Sequence, residues 1–153
     1  MKEACGASLC AGSELAGPVR MITLERIQAY EVGLRSSVTN VLTQTRLNHH
    51  SDDTFAQSQG LKASIADGML STNWISGLLL HQFGMDYIER GDLRTKYINP
   101  IYIGTPVTPR ARVRSAEPLE SGAIRYVLDV WCDDVKGVKL TVGDAKVEVA
   151  PRQ

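Results

Sequence analysis

The chain is 153 residues long, and its 17 Lys+Arg balance 17 Asp+Glu to a formal net charge of zero. That length fits one domain, which buries roughly two-thirds of its unfolded surface and needs no staples. The charge balance excludes nucleic-acid binding through bulk charge and suits a chain that self-associates. No apolar run approaches the ~18 residues that span a bilayer, so no membrane partner is expected.

Cys5, Cys10 and Cys132 make an odd count, with no CxxC spacing. This argues against a disulfide framework or a zinc site and fits a reducing cytoplasm. Residues 1–20 carry Glu3 and Glu14 and lack the continuous apolar run of a signal peptide. Gly, Ala and Ser dominate there, so these residues are expected as a flexible N-terminal tail ahead of a single domain over 21–153.

Thr23 reads as an N-cap, and Leu24, Ile27, Tyr30, Val32 and Leu34 give a helical apolar pattern to about Arg35. The stretch 36–50 is polar and mixed, with Val38, Val41 and Leu42 suiting a short strand or a packed loop. Asp52 and Asp53 place carboxylates at the positive end of a short helix through Gln59, which Gly60 ends. Helix-start roles suit these two better than metal ligation, and adjacent His49 and His50 offer no HxxxH spacing. Asp67 or Gly68 starts a long helix to Phe83, with Gly84 as its stop. It is apolar on most sides, which predicts a buried helix, with Ser71, Ser76 and Gly77 small enough for close packing against a sheet.

The second half alternates instead. Leu93–Ile98, Val107–Ala116, Ile124–Cys132 and Val138–Val149 are predicted strands, with turns at Ser121-Gly122 and Lys136-Gly137. Antiparallel hairpins after one buried helix give an α+β class, a sheet wrapped around a long central helix. Trp74, Trp131 and the tyrosines read as core. Arg110, Arg112 and Arg114 share one strand face, either as a solvated edge or as an attractor for an acidic carrier or CoA phosphates.

The chemistry-bearing residues cluster between Asn48 and Leu80. His50 stands in a polar loop before the short helix, as a backbone-bonded loop histidine or as an acid/base group. Asp67 is either an N-cap or a carboxylate aimed at a pocket. Asn48 either makes an Asx-turn or orients His50 or a water. The order His50, Asp52, Phe55-Ala56, Gly60, Ile65-Ala66, Gly68-Met69-Leu70, then Ser76-Gly77-Leu78-Leu79, resembles the MaoC-like dehydratase and R-specific enoyl-CoA hydratase family of the hot-dog fold. The segment RTKYINPIYIGTPV, from Arg94, is similar to that family's strand signature. The likeness covers roughly residues 22–115.

The resemblance implies a hot-dog fold and a hydro-lyase acting on an enoyl-CoA or related acyl thioester, CoA or carrier protein being part of the substrate rather than a cofactor. It implies His50 as half of an acid/base dyad. It implies Gly68 as the backbone donor for a developing enolate, glycine leaving room for the acyl group. Asn73 falls where the family often has a small hydroxyl residue. Catalytic roles are thus expected of His50, Asp67 and Gly68, and substrate contacts of Asn48, Met69 and Asn73, in a homodimer or higher homo-oligomer. The sequence departs from the family at three places. Its catalytic Asp position is Thr45, its Asn-Pro is Leu47-Asn48, and the His before its Gly-Met is Asp67. Thr45 leaves open a non-hydratase thioester-binding relative or a thioesterase.

Overall fold

The computed structural model describes residues 9–39 and 48–151. Cys5, Val41, Leu42 and Thr45 lie outside the described residues. The element order is β1 (Glu14–Ala16), α1 (Leu24–Thr39), α2 (Asp53–Ser58), α3 (Gly68–Phe83), α4 (Met85–Arg90), β2 (Gly91–Tyr97), β3 (Val107–Pro118), β4 (Ile124–Asp134) and β5 (Lys139–Val149). The strands form one antiparallel sheet in the order β1-β3-β4-β5-β2, with α3 packed on it. This is the expected α+β architecture.

Alternation sets which face of the sheet is buried. Val107, Ala111 and Val113 on β3 and Tyr126, Leu128 and Val130 on β4 are buried, and their neighbours are not. Ile75 and Leu79 of α3 are fully buried in the same core. Complete burial of each such side chain contributes about 1.5–3 kcal/mol. Gly143 lets β2 approach β5, since a Cβ there would overlap the Arg94 carbonyl.

Several expectations are corrected. Residues 14–16 form an edge strand paired with Arg110–Arg112, and Arg20 bridges to Val107, so this part of the predicted tail belongs to the sheet. Helix α1 runs on to Thr39 and takes in Val38, in place of a strand or loop there. Gly84 ends α3 with φ 59° but also opens α4, a six-residue helix that leads into β2. Helix α3 is buried on one side only. Ser71, Ile75, Leu78, Leu79 and Phe83 face inward, while Met69, Asn73, Gly77 and Leu80 are exposed. Ser71 does meet the sheet, but a Cβ on Gly77 would meet nothing within 4 Å.

Candidate functional site

A cavity of about 310 Å³ opens at the N-terminal end of α3. Its apolar walls are Ile65, Ala66, Ile98, Pro100 and Ile101. His50, Gly68, Tyr97, Asn99 and Thr141 complete the lining. Four separate stretches of chain meet here: the loop before α2, the start of α3, the segment after β2, and β5.

His50 is held by the backbone around it. The Asn48 side-chain oxygen accepts from the His50 N–H at 2.7 Å, from the Ser51 N–H at 3.1 Å and from the Ser51 hydroxyl at 3.3 Å. This is the Asx-turn alternative for Asn48, and it fixes the His50 backbone. The His50 Nδ1 lies 2.9 Å from the Ile65 carbonyl oxygen. A carbonyl only accepts, so Nδ1 carries the proton in this bond and the lone pair of the neutral ring sits on Nε2. Among the described residues, no carboxylate lies within ion-pair distance of His50.

The loop that supplies Ile65 is itself tied at both ends. The Ile65 N–H bonds the His49 carbonyl at 3.0 Å, and the Ala66 N–H bonds the Ile101 carbonyl at 2.7 Å. One Asp53 oxygen accepts from the Ser64 hydroxyl at 2.6 Å and from the Ser64 N–H at 2.8 Å. The first of these bonds, then the second, hold the Asp53 carboxyl below the ordinary carboxylate range. Asp52 caps α2, accepting from the Phe55 N–H at 2.6 Å. Both aspartates therefore act at the start of a helix, as expected from sequence.

Asp67 caps α3. Its side-chain oxygen accepts from the Met69 N–H at 2.8 Å, and its carbonyl accepts from the Leu70 N–H at 3.0 Å. No protein acceptor among the described residues is bonded to the Gly68 N–H. That leaves a backbone donor at the positive end of a sixteen-residue helix, beside the cavity. Glycine at this position has a structural reason of its own. A Cβ on Gly68 would come within 2.7 Å of the Tyr97 ring, which stands as a wall against the helix start. The Tyr97 hydroxyl is 2.9 Å from the Thr72 hydroxyl and 3.3 Å from the Met69 sulfur, to which it donates.

Of the six residues expected at a site, His50 and Gly68 line the cavity. Asn48 and Asp67 stand behind them as turn and cap. Met69 and Asn73 lie on the exposed side of α3, outside the lining. The sequence reading missed Tyr97 and Thr141. Tyr97, expected in the core, is 48 % exposed and forms a cavity wall. The arginine stripe offers no free charge. Arg110 meets both Asp133 oxygens at 3.0 Å, Arg112 pairs with Glu14, and Arg114 pairs with Asp129. The solvated face of that expectation holds, but its edge does not, because β3 is paired on both sides, with β1 and with β4. Cys132 is buried with its sulfur donating toward the Ser71 carbonyl, and burial pushes the thiol up to about 12. A thiol so poised is neutral and no nucleophile.

The Asp53–Ser64 bonds give a pH dependence. A carboxyl depressed in the fold stabilises it above the unfolded carboxylate range, about pH 4, and loses that contribution as pH falls through the folded value. Asp53→Asn is expected to melt below wild type at neutral pH, with the gap narrowing on acidification toward about pH 3. Thermal melts across that range check it, and a gap independent of pH would contradict it.

No protein-family model and no curated protein matches the sequence. Solved structures do match over nearly the whole chain. The (R)-hydratase from A. caviae involved in PHA biosynthesis superposes with a TM-score of 0.70 at 20 % identity, over 95 % of this chain and 100 % of that one. The MaoC-like dehydratase from Rhodospirillum rubrum gives 0.72 at 16 % identity, over 95 % of each chain. The C-terminally truncated HadBC (3R-hydroxyacyl-ACP dehydratase) complex from Mycobacterium tuberculosis gives 0.64 at 15 % identity, over 92 % of this chain and 98 % of that one. The chain therefore has the hot-dog fold of the MaoC-like hydratases and dehydratases.

Proposed function

We propose that the protein is a hydro-lyase of MaoC-like type, adding water to or removing it from an acyl thioester carried on CoA or a carrier protein. The observation that carries this reading is the meeting of His50 and the Gly68 N–H in one largely apolar cavity. In the enoyl direction, a water oxygen attacks the β-carbon and gives a proton to His50 Nε2. Charge moves onto the thioester oxygen, where the Gly68 N–H and the α3 dipole stabilise it. The imidazolium then returns the proton to the α-carbon, so one water is added and His50 is restored. Asp67 serves by fixing the helix start whose Gly68 N–H does this work. The apolar walls receive the acyl chain.

A thioester-binding protein that does not hydrate is the second reading. It is favoured by the lack of a carboxylate beside His50 among the described residues. Thioesterase activity is the third, separated from the others by release of free thiol. The exposed face of α3, with Met69, Asn73 and Leu80, fits cover by a second copy of this chain. We propose a homodimer on that ground; the structural neighbour HadBC is itself a complex. A mass of one 16.7 kDa chain in sedimentation would contradict it.

The test of the main reading is hydration of enoyl-CoA substrates of varied chain length. His50→Ala is expected to lower the rate by about 10²–10⁴-fold. Equal rates from both proteins, or no hydration by the wild type at any chain length, would sink the reading.

A further inference from the structure

Thr141 is a buried polar residue in the cavity lining. Its hydroxyl lies 2.7 Å from the Ser71 hydroxyl, and the residue is 1 % exposed. The Ser71 hydroxyl also lies 2.7 Å from the Gly68 carbonyl oxygen. Ser71 has one proton and the carbonyl can only accept, so Ser71 spends its proton on Gly68. The proton between Ser71 and Thr141 must then come from Thr141. Thr141 is left with lone pairs and no proton to offer.

Two other polar side chains of the lining are engaged through their donor groups. The Asn99 amide donates to the Lys139 carbonyl at 2.8 Å, and the Tyr97 hydroxyl is engaged with Thr72 and Met69. Acceptor capacity among the lining side chains is then left on His50 Nε2, Thr141 Oγ1 and Asn99 Oδ1, and the Gly68 N–H is a main-chain donor beside them. A thioester oxygen needs a donor. A water molecule, or a hydroxyl formed from it, needs acceptors.

We propose that Thr141 Oγ1 accepts a hydrogen bond from the attacking water and from the C3 hydroxyl of a 3-hydroxyacyl thioester, and so selects hydroxylated over saturated acyl chains. This rests on the thioester reading above. With His50 Nε2 as the other acceptor, both water protons are held, and the oxygen lone pair is directed at the β-carbon.

Binding tests this without turnover. In a His50→Ala background, the dissociation constants of 3-hydroxybutanoyl-CoA and butanoyl-CoA are measured by calorimetry. The hydroxylated thioester is expected to bind about three- to tenfold more tightly, the worth of one hydrogen bond. Adding Thr141→Val, of similar volume, is expected to abolish that ratio, and Thr141→Ser to keep it. Equal binding of the two thioesters by the His50→Ala protein would overturn the role of Thr141 and leave the thioester reading standing. So would an unchanged ratio in the valine variant. Binding of neither thioester, by this protein or by the wild type, would overturn the thioester reading and the role of Thr141 with it. Should the valine variant not fold, judged by its circular dichroism, the serine variant decides. A ratio lost on keeping the hydroxyl would count against the proposal.

Discussion

The seating of α3 on the sheet is the constraint from which the rest of the site follows. Ile75 and Leu79 are buried without residue in the core, and the Ser71–Thr141 bond pins the first turn of the helix to β5. Such a bond between two buried hydroxyls fixes a register as well as adding stability, because the Thr141 hydroxyl without Ser71 would be a buried donor with no acceptor, while Ser71 still donates to the Gly68 carbonyl. Once the first turn is pinned, the Gly68 N–H has one possible direction. Tyr97 then closes one side of it, and the residue at 68 has no room for a side chain.

The same seating determines where His50 goes. The loop leading into α3 runs between the His49 and Ile101 carbonyls, and its Ile65 carbonyl is what turns the His50 ring. Asp53 clamps that loop from the start of α2 through Ser64. Among the described residues, the His50 ring is thus placed by the Ile65 main-chain carbonyl and its backbone by the Asn48 side chain, rather than by a carboxylate partner. An imidazole bonded through Nδ1–H to a carbonyl presents the same base lone pair as one bonded to an acid, without the charge that would stabilise its protonated form. Thr45, one of the positions where the sequence departs from the family it resembles, lies outside the described residues.

Much of this was legible in the sequence, for reasons that differ by element. The α2 and α3 starts were readable because Asp52 and Asp67 are good caps and glycines follow where the helices end. The long strands were readable from alternation, because one face of the sheet is buried and the other is not. Glu14–Ala16 was not, since three residues carry no periodicity and gain their order only by pairing with β3. Nor was α4, because Gly84 signals a stop whether or not another turn follows. Within the site, His50 and Gly68 were readable through the resemblance that one stretch of chain bears to a family signature. Thr141 was not, as its role depends on a contact with Ser71 seventy positions away in sequence. Asp67 had a single residue type that suits both a cap and an acid, and only the bond to Met69 distinguishes them. The outward face of α3 was misread because exposed Met69 and Leu80 are as apolar as buried Leu78 and Leu79.

The central claim is that the fold presents His50 Nε2 as a base toward the cavity, and the tautomer of its ring tests this most directly. Nitrogen-15 spectra of the three histidine rings, with His50 identified by its loss in His50→Ala, distinguish protonated from bare ring nitrogens at about pH 8, where an ordinary histidine is neutral. A protonated Nδ1 and a bare Nε2 are expected for His50. The opposite tautomer, or rapid averaging between the two, would contradict the account.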